Sequence, residues 1–347
     1  MANETLLLFI QVGLALIILT MCYFVAVFYL SHKKSKFNVE EIRKNAYLNN
    51  IAIIYKSPVN EKEFIACINN LIKLNYTNFK AFFVSNNQFI NHNYSGKFII
   101  ISNHTVQNAV EILKPLIPND TDAVLVLEPK AMLNYNFLNS INHKLNQGFE
   151  VIQSKINNSV NGLSKSYIKT NDALYNFIDR KLSEQLNLPV SINSFGYTIK
   201  YSLFKSINAA YFNSDAKVLQ AKLTDAKPKQ GYSELAVINF NLYNNVAVVK
   251  QKWYNMKKFW ANQKLGLMLL FEGLTKSNMH KIYFGLQYLR PPLVLIICLC
   301  IALAVINIFF YNRLFIFSVI AFSALSTAIF IYSLNYFSNY KKVGELS

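Results

Sequence analysis

The stretch Ile51-Ala-Ile-Ile-Tyr-Lys-Ser-Pro-Val-Asn-Glu-Lys-Glu-Phe64 carries the information that sets the fold class. Its first five residues form a short apolar, β-branched run closed by Ser57-Pro58, which reads as a strand. Asn60 follows with Glu63 three residues on, the spacing of a capping box at a helix start. Phe64, Ile68, Leu71 and Ile72 then recur at i, i+4, i+7 and i+8, one face of an amphipathic helix. A strand, a tight turn and a helix therefore lie within about twenty residues.

Downstream the same alternation continues. FKAFFVS (79–85) and KFIIIS (97–102) have strand character, and VQNAVEIL (106–113) is a short helix broken by Pro115 and Pro118. DAVLVLE (122–128) is a nearly continuous apolar run, as a strand buried on both faces requires. A helix around 135–147 ends at Gly148, and FEVIQS (149–154) returns as a strand. Strands alternating with helices at this spacing predict an α/β domain with a mostly parallel sheet. In such sheets ligands sit beyond the carboxyl ends of the strands. The positions to inspect are then Ser57–Glu61, Ser85–Gln88 and Glu128–Lys130.

Outside this region the composition changes. The chain has 347 residues, 53% of them hydrophobic and only 15% charged, yet its net charge is +17. A soluble globular chain carries about a quarter charged residues, so an ordinary soluble enzyme is excluded. A disordered tail and a disulfide-stapled secreted domain are excluded as well. Leu6–Leu30, Pro291–Asn312 and Leu314–Tyr340 contain no charged residue, and each is long enough to cross a bilayer core as a helix. The first is too long for a signal h-region, follows a non-basic N-terminus and lacks a small-residue cleavage site.

Three membrane spans are therefore expected in an inner or plasma membrane. Lys33, Lys34, Lys36, Arg43 and Lys44 follow the first span, while only Arg313 lies between the second and third. By the positive-inside rule the N-terminus is outside, and residues 31–290 and the C-terminus are cytoplasmic. The expected organisation is a span in 1–30, a globular domain in 31–250 and amphipathic interfacial helices in 251–290. A membrane hairpin follows in 291–340, with a tail in 341–347. The cytoplasmic segment holds 32 bases against 16 acids. Such a domain suits anionic lipid or a diphosphate-bearing substrate. An AT-rich coding bias toward Lys, Asn and Ile accounts for the charge equally well.

Four scattered cysteines make no disulfide framework or zinc site, and the five histidines show no metal-ligand spacing.

Several local strings resemble the membrane-bound family 2 glycosyltransferases, the group of cellulose, chitin and hyaluronan synthases. IAIIYKSPVNEKEF resembles the opening strand and its turn, with Asn60 and Glu61 matching best. LIKLNYTNFKAFFVSNN resembles the next helix-to-strand stretch, and DAVLVLEPKAMLNYNFL the strand carrying the D-x-D motif. SFGYTIKYSLF (194–204) is similar to the G-x-x-x-x-x-R segment. GYSELAVINFNLYNN (231–245) is similar to the acceptor-side helix with its E-D pair. FWANQKLGLML (259–269) stands where Q-x-x-R-W is expected.

The resemblance implies a GT-A-like, Rossmann-like domain flanked by transmembrane helices. For an active member only, it also implies a nucleotide-sugar donor held through Mg²⁺ or Mn²⁺, cations that require carboxylate oxygens. The motif positions depart from that chemistry. Glu128-Pro129-Lys130 replaces D-x-D, keeping one metal carboxylate and placing a lysine at the second. Asn86 and Asn87 stand where the base-side Asp belongs, so they keep hydrogen-bonding capacity without the charge.

Glu234 survives from E-D with Leu235 beside it, as a candidate general base or as a first-turn Glu facing a helix dipole. Gln263 alone survives from Q-x-x-R-W. The resemblance implies an acceptor-side or gating role for Trp260, Gln263 and Lys264, and Trp253 and Trp260 are expected to serve either sugar stacking or interfacial anchoring.

The nucleotide-sugar set is then Asn60, Glu61, Asn86, Asn87 and Lys130, with Glu128 as metal ligand. The combined losses lead to the expectation of a catalytically impaired member, a scaffold for an active synthase. An active, divergent inverting glycosyltransferase is the first alternative, and an unrelated membrane-tethered α/β ligand-binding module the second. Expected partners are membrane lipids, a nucleotide sugar, and a membrane protein or a second copy of the chain; nucleic acid is not expected.

Overall fold

The structure is a computed structural model that describes residues 47–57, 59–85, 96–102, 109–160, 176–242 and 262–289. The chain divides into two compact units. One comprises Lys36–Lys252 with Glu272–Phe284, and the other Met1–Ser35, Trp253–Phe271 and Gly285–Ser347.

The first unit is built on an eight-stranded sheet. Its strands are β1 (Ile51–Tyr55), β2 (Phe79–Ser85), β3 (Phe98–Ser102), β4 (Ala123–Leu127), β5 (Ala131–Leu133), β6 (Val151–Val160), β7 (Gly196–Lys200) and β8 (Gln230–Leu242). Their order across the sheet is β3-β2-β1-β4-β7-β6-β8-β5. The first helix, α1 (Glu61–Leu71), begins at Asn60, whose Oδ1 accepts from the Glu63 N–H at 2.9 Å while the Glu63 carboxylate accepts from the Asn60 N–H. The capping box read from the sequence is thus formed, and such caps are worth about 1 kcal/mol.

The continuous apolar runs are explained by layers on both faces. Ile51, Ile53, Tyr55, Leu125 and Leu127 pack with Phe64, Ile68 and Leu71 of α1 and with Phe137 and Ile141 of α3 (Phe137–Asn146). The intervening Ala52, Ile54, Val124 and Val126 face the other way. They meet Val110 and Leu113 of α2 (Ala109–Leu113), Phe204 of α4 (Tyr201–Ser206), Phe212 of α5 (Ala210–Asn213), and Leu219 and Leu223 of α6 (Ala216–Ala226). Each such buried side chain contributes about 1.5–3 kcal/mol, so a strand buried on both sides cannot alternate with polar residues.

Two expectations are corrected. The sheet is mixed, not mostly parallel: β4 pairs β7, β6 pairs β7 and β5 pairs β8 in antiparallel register. The reason lies in the connection. The chain leaves β6 at its carboxyl end and reaches β7 through Phe195, whose carbonyl accepts from the Glu128 N–H beyond β4. Entering at that end, β7 must run back down the sheet, whereas a parallel strand needs a crossover to the opposite end. Secondly, GYSELAVINFNLYNN does not form a helix over its described part; it lies in β8, a strand parallel to β6.

Within the same unit, Lys281 is buried between Asp225 (2.8 Å) and Glu272 (2.6 Å), and Asn278 donates to the Thr224 carbonyl. These contacts tie residues 272–284 to α6.

Helix α7 (residues 262–275) contributes residues 262–271 and helix α8 (Met279–Leu289) residues 285–289 to the second unit, where Gly266 and Gly285 pass close. A Cβ at Gly285 would stand 2.8 Å from the Leu270 backbone nitrogen. Among the described residues no helix is long and apolar enough to cross a membrane. The segments read as spans, 6–30, 291–312 and 314–340, lie outside the described residues.

Candidate functional site

The carboxyl ends of β1 and β4 bring together two groups far apart in the sequence. The Lys56 N–H extends the β1–β4 ladder by donating to the Leu127 carbonyl at 3.0 Å. This fixes the lysine at the end of β1, beside the first residue after β4. There the Lys56 ammonium lies 2.8 Å from Glu128 Oε1, with the lysine side chain 9% and the glutamate 26% exposed. Ser57 Oγ donates to the other carboxylate oxygen at 3.4 Å.

The turn after Glu128 is held from below. Cys67 of α1 donates its thiol to the Pro129 carbonyl at 3.1 Å, and the Ala131 N–H closes back on the Glu128 carbonyl. Asn70 brackets the Leu133 backbone, donating to its carbonyl and accepting from its N–H. Burial pushes the Cys67 thiol up to about 12, so it remains protonated as a donor. Tyr197, on β7 next to this turn, is raised by burial and then by the Glu128 carboxylate.

Lys130, expected at the second acidic position of the metal motif, projects outward. It is 65% exposed, and its ammonium lies 4.0 Å from Glu63. Asn60 acts as the α1 cap, and Glu61 is an exposed first-turn residue.

Glu234 sits on β8 where the strand bulges. Ser154 pairs with Ser233 but the next residue, Lys155, pairs with Val237, so Glu234, Leu235 and Ala236 stand out of the ladder. Asn134 clamps the bulge. Its side chain accepts from the Val237 N–H at 2.9 Å and donates to the Leu235 carbonyl at 3.1 Å.

Glu234 is paired with Lys181 at 2.9 Å, a residue of the π-helical turn Phe177–Leu182. Bulges and π-turns are both common beside functional sites. Leu127 stands opposite Gly196, and Gln153, the neighbour of Ser154, stands opposite Tyr197. Glu128 and Glu234 therefore rise from the same level of the sheet, three strand positions apart.

Of the remaining expected residues, Gln263 donates to the Tyr288 carbonyl at 3.3 Å, which makes it a helix-pairing contact. Lys264 is exposed. Asn86, Asn87 and Trp260 lie outside the described residues. Sequence reasoning missed Lys56 and Lys181; no motif names them, and their significance comes only from the carboxylates they meet.

The donor set does not fit a divalent cation. Glu128 offers one carboxylate already engaged by an ammonium, and among the described residues no three His, Cys, Asp or Glu groups converge. A cleft of about 250 Å³ lies at the amino ends of β1 and β2, lined by Asn50, Thr77, Lys80, Lys97 and Asp120. That is the end of the sheet opposite to Glu128 and Glu234.

No family model matches the chain, and no curated protein matches it. Among solved structures it is similar to the mannosyltransferase PcManGT from Pyrobaculum calidifontis, in complex with GDP-Man and Mn²⁺. The two share 9% identity over 91% of each chain, with a TM-score of 0.51. A weaker likeness, with a TM-score of 0.38, is to glucosyl-3-phosphoglycerate synthase from Mycobacterium tuberculosis. It has 12% identity over 62% of this chain and 80% of that one. The chain thus has a glycosyltransferase-like α/β fold of the GT-A kind.

Proposed function

We propose that this protein is a membrane-tethered, glycosyltransferase-like component of glycan assembly that binds and positions rather than turning over a sugar donor. One observation carries the reading: each of the two carboxylates expected to do chemistry is held by a lysine, Glu128 by Lys56 and Glu234 by Lys181. General bases and charge-stabilising groups are each worth about 10² to 10⁴ in rate, so occupying both removes most of the catalysis. The three uncharged runs supply the membrane tether, with residues 31–290 on the cytoplasmic face. The fold likeness to a transferase bound to GDP-Man supports a nucleotide sugar as the small-molecule partner. An active synthase is the macromolecular partner.

One feature favours the alternative of a divergent inverting transferase. Glu234 stays 31% exposed at the carboxyl-end level of the sheet, where an acceptor hydroxyl would approach.

The deciding experiment pairs a mild-detergent pull-down from the native host with a turnover assay on the purified chain. The proposal expects co-purification of a glycosyltransferase with an intact D-x-D motif, and no sugar transfer by the chain alone. Transfer from any nucleotide sugar that disappears in Glu234→Gln overturns it.

A further inference from the structure

We infer that the Lys56 ammonium takes the place of a divalent ion in this site, and that a nucleoside diphosphate binds there without metal. The inference rests on the glycosyltransferase-like reading of the strand ends, but its argument is local. Both oxygens of Glu128 are in use, one against Lys56 at 2.8 Å and the other accepting from Ser57 at 3.4 Å. A hard divalent ion needs about six oxygen ligands, several of them anionic, and here it would meet a resident positive charge.

Lys56 cannot swing aside as a surface lysine does. Its backbone is pinned to Leu127, and its stem is buried at the end of β1. An ammonium has three N–H donors, and Glu128 faces it as an ion-pair partner on one side. The donors on its other sides suit the oxygens of a phosphate ester, which lysine binds as a point charge. Lys130, across the same turn, is exposed and adds a second cation on the solvent side. Where the resemblance places two acids and a metal, the chain thus has an acid holding an internal lysine, with a further lysine at the rim.

The test uses the full chain in detergent micelles. Mn²⁺ retention is read by electron paramagnetic resonance for wild type and Glu128→Gln, and UDP and GDP affinity by calorimetry in EDTA and in MnCl₂. The expected result is equal Mn²⁺ retention in the two proteins and nucleotide affinities that agree within about twofold between buffers. Lys56→Gln weakens nucleotide binding about tenfold, the worth of one charge-assisted hydrogen bond, while Lys56→Arg retains it.

Mn²⁺ bound by wild type and lost in Glu128→Gln overturns the inference, as does nucleotide affinity that appears only with Mn²⁺. Absence of nucleotide binding in both buffers overturns the diphosphate assignment, and with it the nucleotide-sugar part of the proposed function. The Mn²⁺ comparison, made without any Lys56 variant, still decides whether the site excludes metal.

Discussion

Gly196 shows how a single side chain, or its absence, sets the site. A Cβ at this position would lie 2.4 Å from Ile238 Cδ1 and 2.8 Å from Leu127 Cδ2, so the glycine lets β7 pass beneath two core residues at the level of Leu127, one residue before Glu128. Gly196→Ala is expected to lower stability by about 1–3 kcal/mol through overpacking, measured as a drop in denaturation midpoint. At this scale the sequence was partly legible. Asn60 and Glu63 announced the cap because capping is a local interaction with a fixed spacing. Glu128 was legible as a strand-end carboxylate. Its partner Lys56 was not, because the two are joined by strand pairing across β1 and β4, which no spacing along the chain encodes.

β8 shows the same limit for an element. From Ala236 to Phe240 its residues alternate, with Ala236, Ile238 and Phe240 buried and Val237 and Asn239 half-buried, a period-two signal. The bulge at Glu234–Ala236 breaks the phase of that pattern, and the likeness of the string to a motif helix then decided the reading. β1, β2 and β4 were read correctly because burial on both faces removes any phase to lose. The bulge depends on Asn134, whose side chain completes two backbone groups of β8. Asn134→Ala should cost about 1 kcal/mol, the net worth of hydrogen bonds to partly exposed backbone groups. Asn134→Asp, which keeps the acceptor for Val237 but loses the donor to Leu235, should cost less. Chemical denaturation of the three proteins checks the order.

Across the whole molecule, alternation of strand and helix revealed the α/β class, while strand direction beyond β4 depended on long connections and remained hidden. Global stability should carry the signature of the Lys281 cluster. Hydrogen bonding to Lys281 holds the Glu272 carboxyl below its ordinary value of 4.5. Asp225, pushed up by burial but drawn down further by Lys281 and Lys222, lies below 3.8. Lys281 is raised above 10.5 by hydrogen bonds to Asp225 and Glu272. The depressed carboxyls stabilise fully above their unfolded values and lose this as pH falls through their folded ones; the raised ammonium does so below 10.5 and loses it as pH rises through its folded value. Melting temperature should therefore fall below about pH 4.5 and above about pH 10.5. In Lys281→Met both of these contributions should be smaller.

The far edge of the sheet has a consequence for biosynthesis. β5 emerges from the ribosome directly after β4, yet its ladder partner is β8, with Ala131 opposite Phe240. During translation at about 5–20 residues per second, β5 and the open side of β6 wait several seconds for β8. A nascent chain stalled before Phe240 presents unpaired strand edges to its neighbours, so the completed sheet is a late event in the life of each molecule.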